Sequence, residues 1–554
     1  MFWLTVLLIS TFNAGGQAAD APPMPGASAR SGKAPLPYDV IREDDLLAHA
    51  AFLADDLLDG RAPATRGGNL AARYIAAQFA QLGLQPGGDD GSWFQQVPIV
   101  ESVVQPGFSL RARPTAAGAG REARFTYGTE VVAFSGQTAP TVDVDGEVVF
   151  VGFGIVAPEY KWDDYAGMDV KGKVVLVMVN DPPATPEEPE LFGGKALTYY
   201  GRWTYKYEEA ARRGAAGAVL IHTDESATYP WQVVESSWTG SQYAIEPSSG
   251  TPTLALKAWI TDSAARTLAE LGGQDLDALR AAASTRGARP TPLGVRVDGS
   301  IEQRVTRKAS PNVIGVLPGE RTSEAIIYTS HYDHLGRRDD APKEDTIYNG
   351  AVDNASGVAG LLEVADAFGR AEATPGRSVY FVATTAEESG LLGSEYFAAH
   401  PPIPLERFAA NINMDAMNVY GPTRDLVLLG AERSTLGEVA AEVARDWGRV
   451  LGEDQHAERG YFFRSDHFPL AKAGVPALSF EDGSDFESSA AQQRAEAYNE
   501  TDYHQPSDEV KSDWDLSGMV LDVSLLADLG WRTAASSEMP AYAAEDLFAR
   551  PRAR

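Results

Sequence analysis

The chain has 554 residues, 44% of them hydrophobic, with 77 acidic against 47 basic residues and a formal net charge of −30. That length exceeds one ordinary core and predicts two or three domains, and that charge disfavours nucleic acid and anionic membrane surfaces as partners. Cysteine is absent from the sequence, which excludes disulfides, zinc fingers, cysteine nucleophiles and lipid attachment through an N-terminal cysteine; any metal must be held by His, Asp and Glu.

The run from Met1 to Ile9 is mostly apolar and gives way to small residues through Ala18-Ala19. Residues 1–19 resemble a secretory signal, although no Lys or Arg precedes the apolar core. The run is shorter than the roughly 20 apolar residues of a membrane helix. The expectation is an exported chain, periplasmic or secreted, without a membrane span in its mature form. Residues 20–37, rich in Ala, Pro and Gly, read as a disordered lead-in.

Residues 38–134 form the N-terminal part of the main domain. The apolar spacing is helical over Asp44 to Leu58 and Asn69 to Leu82, and Gly83 with Pro86-Gly87 closes the second helix. Residues 93–115 read as short strands. The character changes over 135–290, where Val148 to Gly154, Val174 to Val177 and Ala218 to Ile221 are strand-like. A helix from Tyr207 to Arg213 runs into Gly214-Ala215-Ala216-Gly217, whose small side chains let helix and sheet pack closely. Gly152, Gly154, the turn Asp169 to Val174 and the close at 216–219 make this block similar to a protease-associated domain. The resemblance implies an insert that lies beside a catalytic cleft as a lid or wall.

In 291–540, apolar strands at Asn312–Val316, Ala325–Thr329, Ser378–Thr384, Ala410–Met414, Leu426–Leu429 and Pro476–Phe480 alternate with helices near 357–368, 390–399, 434–447 and 515–534. Such alternation predicts an α/β domain, a mostly parallel sheet flanked by helices. The tail, 541–554, ends in a short basic run and is expected to be loose.

Residues suited to metal chemistry recur at these strand ends, where ligands gather in open α/β sheets. The strand at 325–329 is followed by His331 and Asp333. Asp353 stands in Asp353-Asn354-Ala355-Ser356-Gly357, before a helix. The strand at 378–384 is followed by Glu387-Glu388, the strand at 410–414 by Asp415, and a late His504 follows Asp502-Tyr503. The ordered set H-x-D, D-N-A-S-G, E-E-x-G-L-L-G-S, N-x-D and a late His resembles metallopeptidase family 28, the di-zinc aminopeptidases related to glutamate carboxypeptidase. It covers about 300–535 strongly and 40–130 weakly.

The resemblance implies two zinc ions that polarise a scissile carbonyl and acidify a water between them. Asp353 would bridge the ions, His331 and Asp415 would hold one, and Glu388 and His504 the other. Asp333 would orient the His331 imidazole, and Glu387 would be the general base and acid. His334 is the rival ligand nearby. Relatives have a cis peptide after the bridging Asp, so a cis bond is expected between Asp353 and Asn354. One departure concerns the Tyr that stabilises the oxyanion in known aminopeptidases. Tyr461 lies one residue further from Ser465 than that pattern requires, and Phe462 takes its place; Tyr461 stays a candidate oxyanion or substrate contact.

The activity so implied is removal of N-terminal residues from peptide substrates. A carboxypeptidase or dipeptidase of the same family is the alternative, although Arg464 is the only arginine adjoining the Ser465-Asp466-His467 loop, where glutamate-type relatives use several. A catalytically inactive binding scaffold should have lost ligands, and every one is kept. No G-x-S-x-G elbow and no H-E-x-x-H helix is present. Sequence leaves the oligomeric state open.

Overall fold

The computed structural model describes residues 36–116, 121–227, 229–248, 250–338 and 345–550. The expected signal segment, and the lead-in as far as residue 35, lie outside the described residues. At the lead-in's described end Leu36 is buried in the main core.

The main sheet is built on the strand Arg321–His331, which runs parallel to Arg377–Thr384 on one side and to Phe408–Asn413 on the other. Ala477–Glu481 extends the parallel set beyond Phe408–Asn413. The flanks reverse direction. Asp425–Leu429 is antiparallel to Ala477–Glu481, and the end of Thr291–Leu317 is antiparallel to Arg377–Thr384. The sheet is therefore mixed, with its parallel strands at the centre.

Alternation along the central strand explains why it is buried on both faces. Ile326 and Tyr328 face helices Glu43–Leu53, Arg66–Gln81, Gly357–Gly369 and Ser517–Ala535. Ala325 and Ile327 face Leu392–Ala399 and His467–Lys472. The Tyr328 hydroxyl, the one polar group this packing would strand, donates to Leu526 O at 2.8 Å.

A second sheet contains the strands expected in the insert. Gly217–His222 lies between Val174–Met178 and Leu256–Thr261, parallel to both, and Val174–Met178 is parallel to Thr141–Phe150. This sheet begins before the expected boundary at 135. Ser109–Pro114, Ala123–Thr126 and Val131–Phe134 all pair into it, because their alternating apolar residues complete its core. The expected strand at 312–316 is the last part of a 27-residue strand, Thr291–Leu317. Its first half pairs with Thr141–Phe150 in the second sheet, and its second half with Phe94–Val104 in the first. One strand thus ties the two sheets together.

The described part of the tail is not loose. Phe548 is buried against Phe462 and Phe468, with ring centroids 6.3 and 5.9 Å away. The Arg433 guanidinium lies over both Phe462 and Phe548 and pairs with Asp546 at 2.9 Å. An aromatic anchor and a partly buried ion pair outweigh the local looseness of a chain end. Phe548→Ala should therefore cost about 3–5 kcal/mol, the usual loss for a buried aromatic. Urea unfolding followed by circular dichroism would show this, and an unchanged midpoint would mean that the tail only rests on the surface.

Candidate metal centre

The carboxyl ends of the parallel strands bring the expected ligands together. His331 ends its strand, Glu387 and Glu388 follow Thr384, and Asp415 follows Asn413. Asp353 enters from the segment before helix Gly357–Gly369, and the Asp353–Asn354 bond is cis. Non-glycine residues with left-handed backbone stand at Ala386, Ala416 and His504, beside or within the ligand set. Such conformations gather where surrounding structure over-determines the chain, at functional sites.

The geometry falls into two groups that share Asp353. His331 Nε2 is 3.2 Å from Asp353 Oδ1 and 3.0 Å from Asp415 Oδ1. Its Nδ1 faces the Asp333 carbonyl oxygen at 3.2 Å. With the proton on Nδ1, the Nε2 lone pair and two carboxylate oxygens converge, an arrangement that only a cation relieves. In the second group, His504 Nε2 is 3.1 Å from Asp353 Oδ2 and 3.2 Å from Glu388 Oε2. A tetrahedral ion with bonds of about 2.0–2.2 Å spaces its ligand atoms by roughly 3.3–3.6 Å, a few tenths of an ångström more than these separations, so both groups fit a metal.

His334 also reaches the second group and can be gathered with Asp353 and Glu388 into a ligand set. Its Nδ1 is 2.6 Å from Glu388 Oε1, too close for two ligands of one ion but within hydrogen-bond range. The contact is poorly directed, and both His334 nitrogens are buried without a directed hydrogen bond. On spacing, His504 is the better ligand and His334 a neighbour that bears on the other oxygen of Glu388.

Asp333 meets its neighbours through both its backbone and its carboxylate. Its backbone carbonyl faces the His331 ring, while its carboxylate Oδ1 accepts from the Glu387 N–H at 3.1 Å and lies 3.9 Å from His331 Nδ1. The Tyr461 hydroxyl contacts Arg459 Nη1 at 3.0 Å, in an exposed pair. His467 is buried, and Phe462 packs edge-on against its ring.

The adjacent glutamates have opposite electrostatics. Burial pushes the Glu387 carboxyl well above its ordinary value; His331 opposes this, and the Asp415 and Glu388 charges add to it. Burial acts the same way on Glu388, but His504 and His334 outweigh it and hold that carboxyl at about 2.

Three residues support the ligands, and two of them, Asp508 and Arg61, carry no signal in the sequence strong enough to find them. Asp508 accepts from the Val352 and Asp353 N–H groups at 3.0 and 3.1 Å, fixing the backbone on which the shared Asp353 carboxylate stands. Asn354 donates to Ser330 Oγ and Met414 O and accepts from the Gly357 and Ala416 N–H groups, clamping three ligand loops. Arg61 is completely buried, and its guanidinium donates to the carbonyls of Tyr332 (2.8 Å), Gly350 (2.9 Å), Leu53 (2.5 Å) and Asn349. It thereby holds the loop after His331 against the loop before Asp353.

Residues 312–527, which contain all these ligands, match the sequence model of peptidase family M28. The chain is similar to aminopeptidase NAALADL1 of Mus musculus, at 34% identity over 130 residues, 22% of this chain and 16% of that protein. It is similar to a probable zinc metalloprotease of Pyricularia oryzae, at 33% identity over 125 residues, 22% of this chain and 24% of that protein. The matched stretch thus spans less than a quarter of either curated relative. The fold is similar to that of an aminopeptidase from Aneurinibacillus sp. strain AM-1, with a TM-score of 0.51 and 19% identity over 91% of this chain and 96% of that one.

Arg61→Met would keep the buried volume but leave the carbonyls without their donor. Each unsatisfied buried group costs about 1–3 kcal/mol, so the variant should lose at least about 3 kcal/mol of stability. Urea unfolding of the purified variant reads this directly; wild-type stability would show that Arg61 does not hold the two loops.

Proposed function

Residues 312–527 carry the peptidase family M28 segment, and on that premise we propose that the chain is an exported di-zinc exopeptidase that removes N-terminal residues from peptides. The observation that carries the reading is the pair of ligand groups sharing Asp353, each spaced for one ion. His331 and Asp415 would hold one zinc, His504 and Glu388 the other, with Asp353 common to both. The bound ions would supply Lewis acidity toward a scissile carbonyl and lower the pKa of a water.

The chain's own residues supply the rest. Glu387 is the general base and then the acid: it takes a proton from the attacking water and delivers it to the leaving amine nitrogen. Burial pushes its carboxyl up, the direction that helps a base hold the proton it takes before returning it. Its neighbour Glu388, held near 2, stays an anion and serves as a ligand. Asp333 fixes the Glu387 backbone by accepting its N–H. Ser465 donates to Asp415 Oδ2 at 2.6 Å, which leaves Oδ1 aimed at His331. The second sheet, in this reading a protease-associated insert, walls the cleft. Tyr199 from that unit packs on Phe468, with centroids 5.1 Å apart. No helix among the described residues is long and apolar enough to cross a membrane.

Glu387→Gln keeps size and polarity but removes the base. It should lower kcat by about 10²–10⁴-fold, the usual contribution of such a group, with bound zinc and KM nearly unchanged. Glu388→Gln should lose zinc and activity together. Atomic absorption and steady-state kinetics on an amino-acid p-nitroanilide test both; metal loss in the first variant, or full metal and activity in the second, would reverse the roles. His504→Ala should leave about one zinc per chain, whereas His334→Ala should keep two and weaken one by about 10–100-fold, the usual effect of losing a group that bears on a ligand from outside the metal's own shell. Zinc titration with a chelating indicator separates the two, and the opposite outcome would make His334 the ligand.

A further inference from the structure

The strand Ala477–Glu481 lies parallel to Phe408–Asn413, with Asn413 opposite Ser479. Two residues beyond each stand Asp415 and Glu481. Side chains two apart on a strand share a face, so Glu481 lies on the face of Ser479. That face is the metal-site face. Ser479 Oγ accepts from Asn413 Nδ2 at 3.1 Å, the same amide donates to Ser465 Oγ at 2.8 Å, and Ser465 Oγ donates to Asp415 Oδ2. Neighbouring strands are spaced by about 4.8 Å, which puts Glu481 beside the Asp415 end of the centre.

Glu481 is partly buried, and its carboxylate has no hydrogen bond or ion pair among the described residues. The charges felt most strongly there are those of Asp454 and Asp415, both anionic; with burial, the larger effect, they push the carboxyl up to about 7. Serving no structural partner, such a group costs stability unless a ligand supplies the cation. On the face of Ser479 and within the field of Asp415, it suits one kind of ligand, a positively charged amine on the substrate.

We propose that Glu481 is a specificity-determining residue that binds a cationic nitrogen of the substrate's first residue, either its free α-ammonium group or a basic side chain. This rests on the aminopeptidase reading and adds to it the group that recognises charge at the N-terminal end. Asp415 is committed to the metal centre, so it cannot also neutralise that cation; Glu481 is free to do so.

The test compares wild type, Glu481→Gln and Glu481→Asp on leucine p-nitroanilide and lysine p-nitroanilide, with zinc content and thermal midpoint recorded for each. Loss of a charge-assisted contact corresponds to a fall in kcat/KM of about 10–100-fold. If the α-ammonium is the ligand, Glu481→Gln should lose this on both substrates, chiefly through KM. If the basic side chain is the ligand, the loss should fall on the lysine substrate alone. Glu481→Asp, which retains the charge, should recover part of it, and n-butylamine should compete with substrate in wild type more strongly than in Glu481→Gln. Unchanged kcat/KM on both substrates in zinc-replete Glu481→Gln would overturn the proposal. Should Glu481→Gln fail to fold, absence of n-butylamine competition in wild type would overturn it as well. Failure of wild type on both p-nitroanilides, with release of C-terminal residues from N-blocked peptides, would instead overturn the aminopeptidase reading itself.

Discussion

Six carboxylates, those of Asp333, Asp353, Glu387, Glu388, Asp415 and Asp508, are brought to one end of a sheet and largely withdrawn from water. Two like charges about 4 Å apart repel by about 4 kcal/mol at an effective dielectric near 20, a substantial share of a domain's net stability. The rest of the site answers that constraint. Arg61 brings one permanent positive charge beneath the pocket, and burial lowers its pKa only to about 10, because Asp333, Asp508, Asp353 and Glu388 lie around it. It spends its donors on backbone carbonyls and none on those carboxylates. The acids therefore remain available, and the remaining imbalance favours cations at the two points where imidazole nitrogens and carboxylate oxygens meet.

The scaffold keeps those points fixed by joining separate strand ends. Asn354 reaches Ser330 at one strand end and Met414 beyond another, while Thr329, Asn411, Asn413, Ser465 and Ser479 form a continuous side-chain chain across three parallel strands. Such a buried polar network favours the one arrangement that pairs most of its members, with Asn411 Oδ1 left without a hydrogen-bond partner among the described residues. The second sheet contributes from outside. The Leu197 N–H donates to Ala457 O at 2.9 Å, and Lys472 pairs with Glu208 at 2.8 Å. These contacts brace the loop that presents Ser465 to Asp415.

What could be read from sequence was whatever is local. His331 and Asp333 follow an uninterrupted apolar strand, and Glu387-Glu388 and Asp415 follow two more; strand periodicity alone brings them to one sheet edge. Asp353 announces itself by the small residues around it. Arg61 and Asp508 were invisible for the opposite reason. Their partners are 271 and 156 residues away in the chain, and neither belongs to an apolar pattern or a local motif. Strand Thr291–Leu317 was seen only in its apolar last part, since its middle pairs between two sheets with one polar face exposed. Helix Ser489–Thr501 was missed because it offers only Ala491 and Tyr498 to the core. The basic, proline-containing end of the tail reads as loose, whereas a single Phe548 decides its position.

The contrast between Glu387 and Glu388 follows from the same geometry. The chain leaves the strand at Thr384, turns through Ala386 with φ of +56° and sends the two side chains apart. Glu388 goes toward His504 and His334, the imidazoles that favour its anion. Glu387 is left with Asp415 and Glu388 as charged neighbours, relieved chiefly by His331, which is itself engaged with Asp353 and Asp415. One turn thus separates a carboxyl held low by imidazoles from one that burial pushes up. A residue with the ordinary right-handed backbone at position 386 would direct the following chain differently. The positive φ of an alanine, uncommon outside glycine and asparagine, is therefore tied to the opposite electrostatics of two identical side chains.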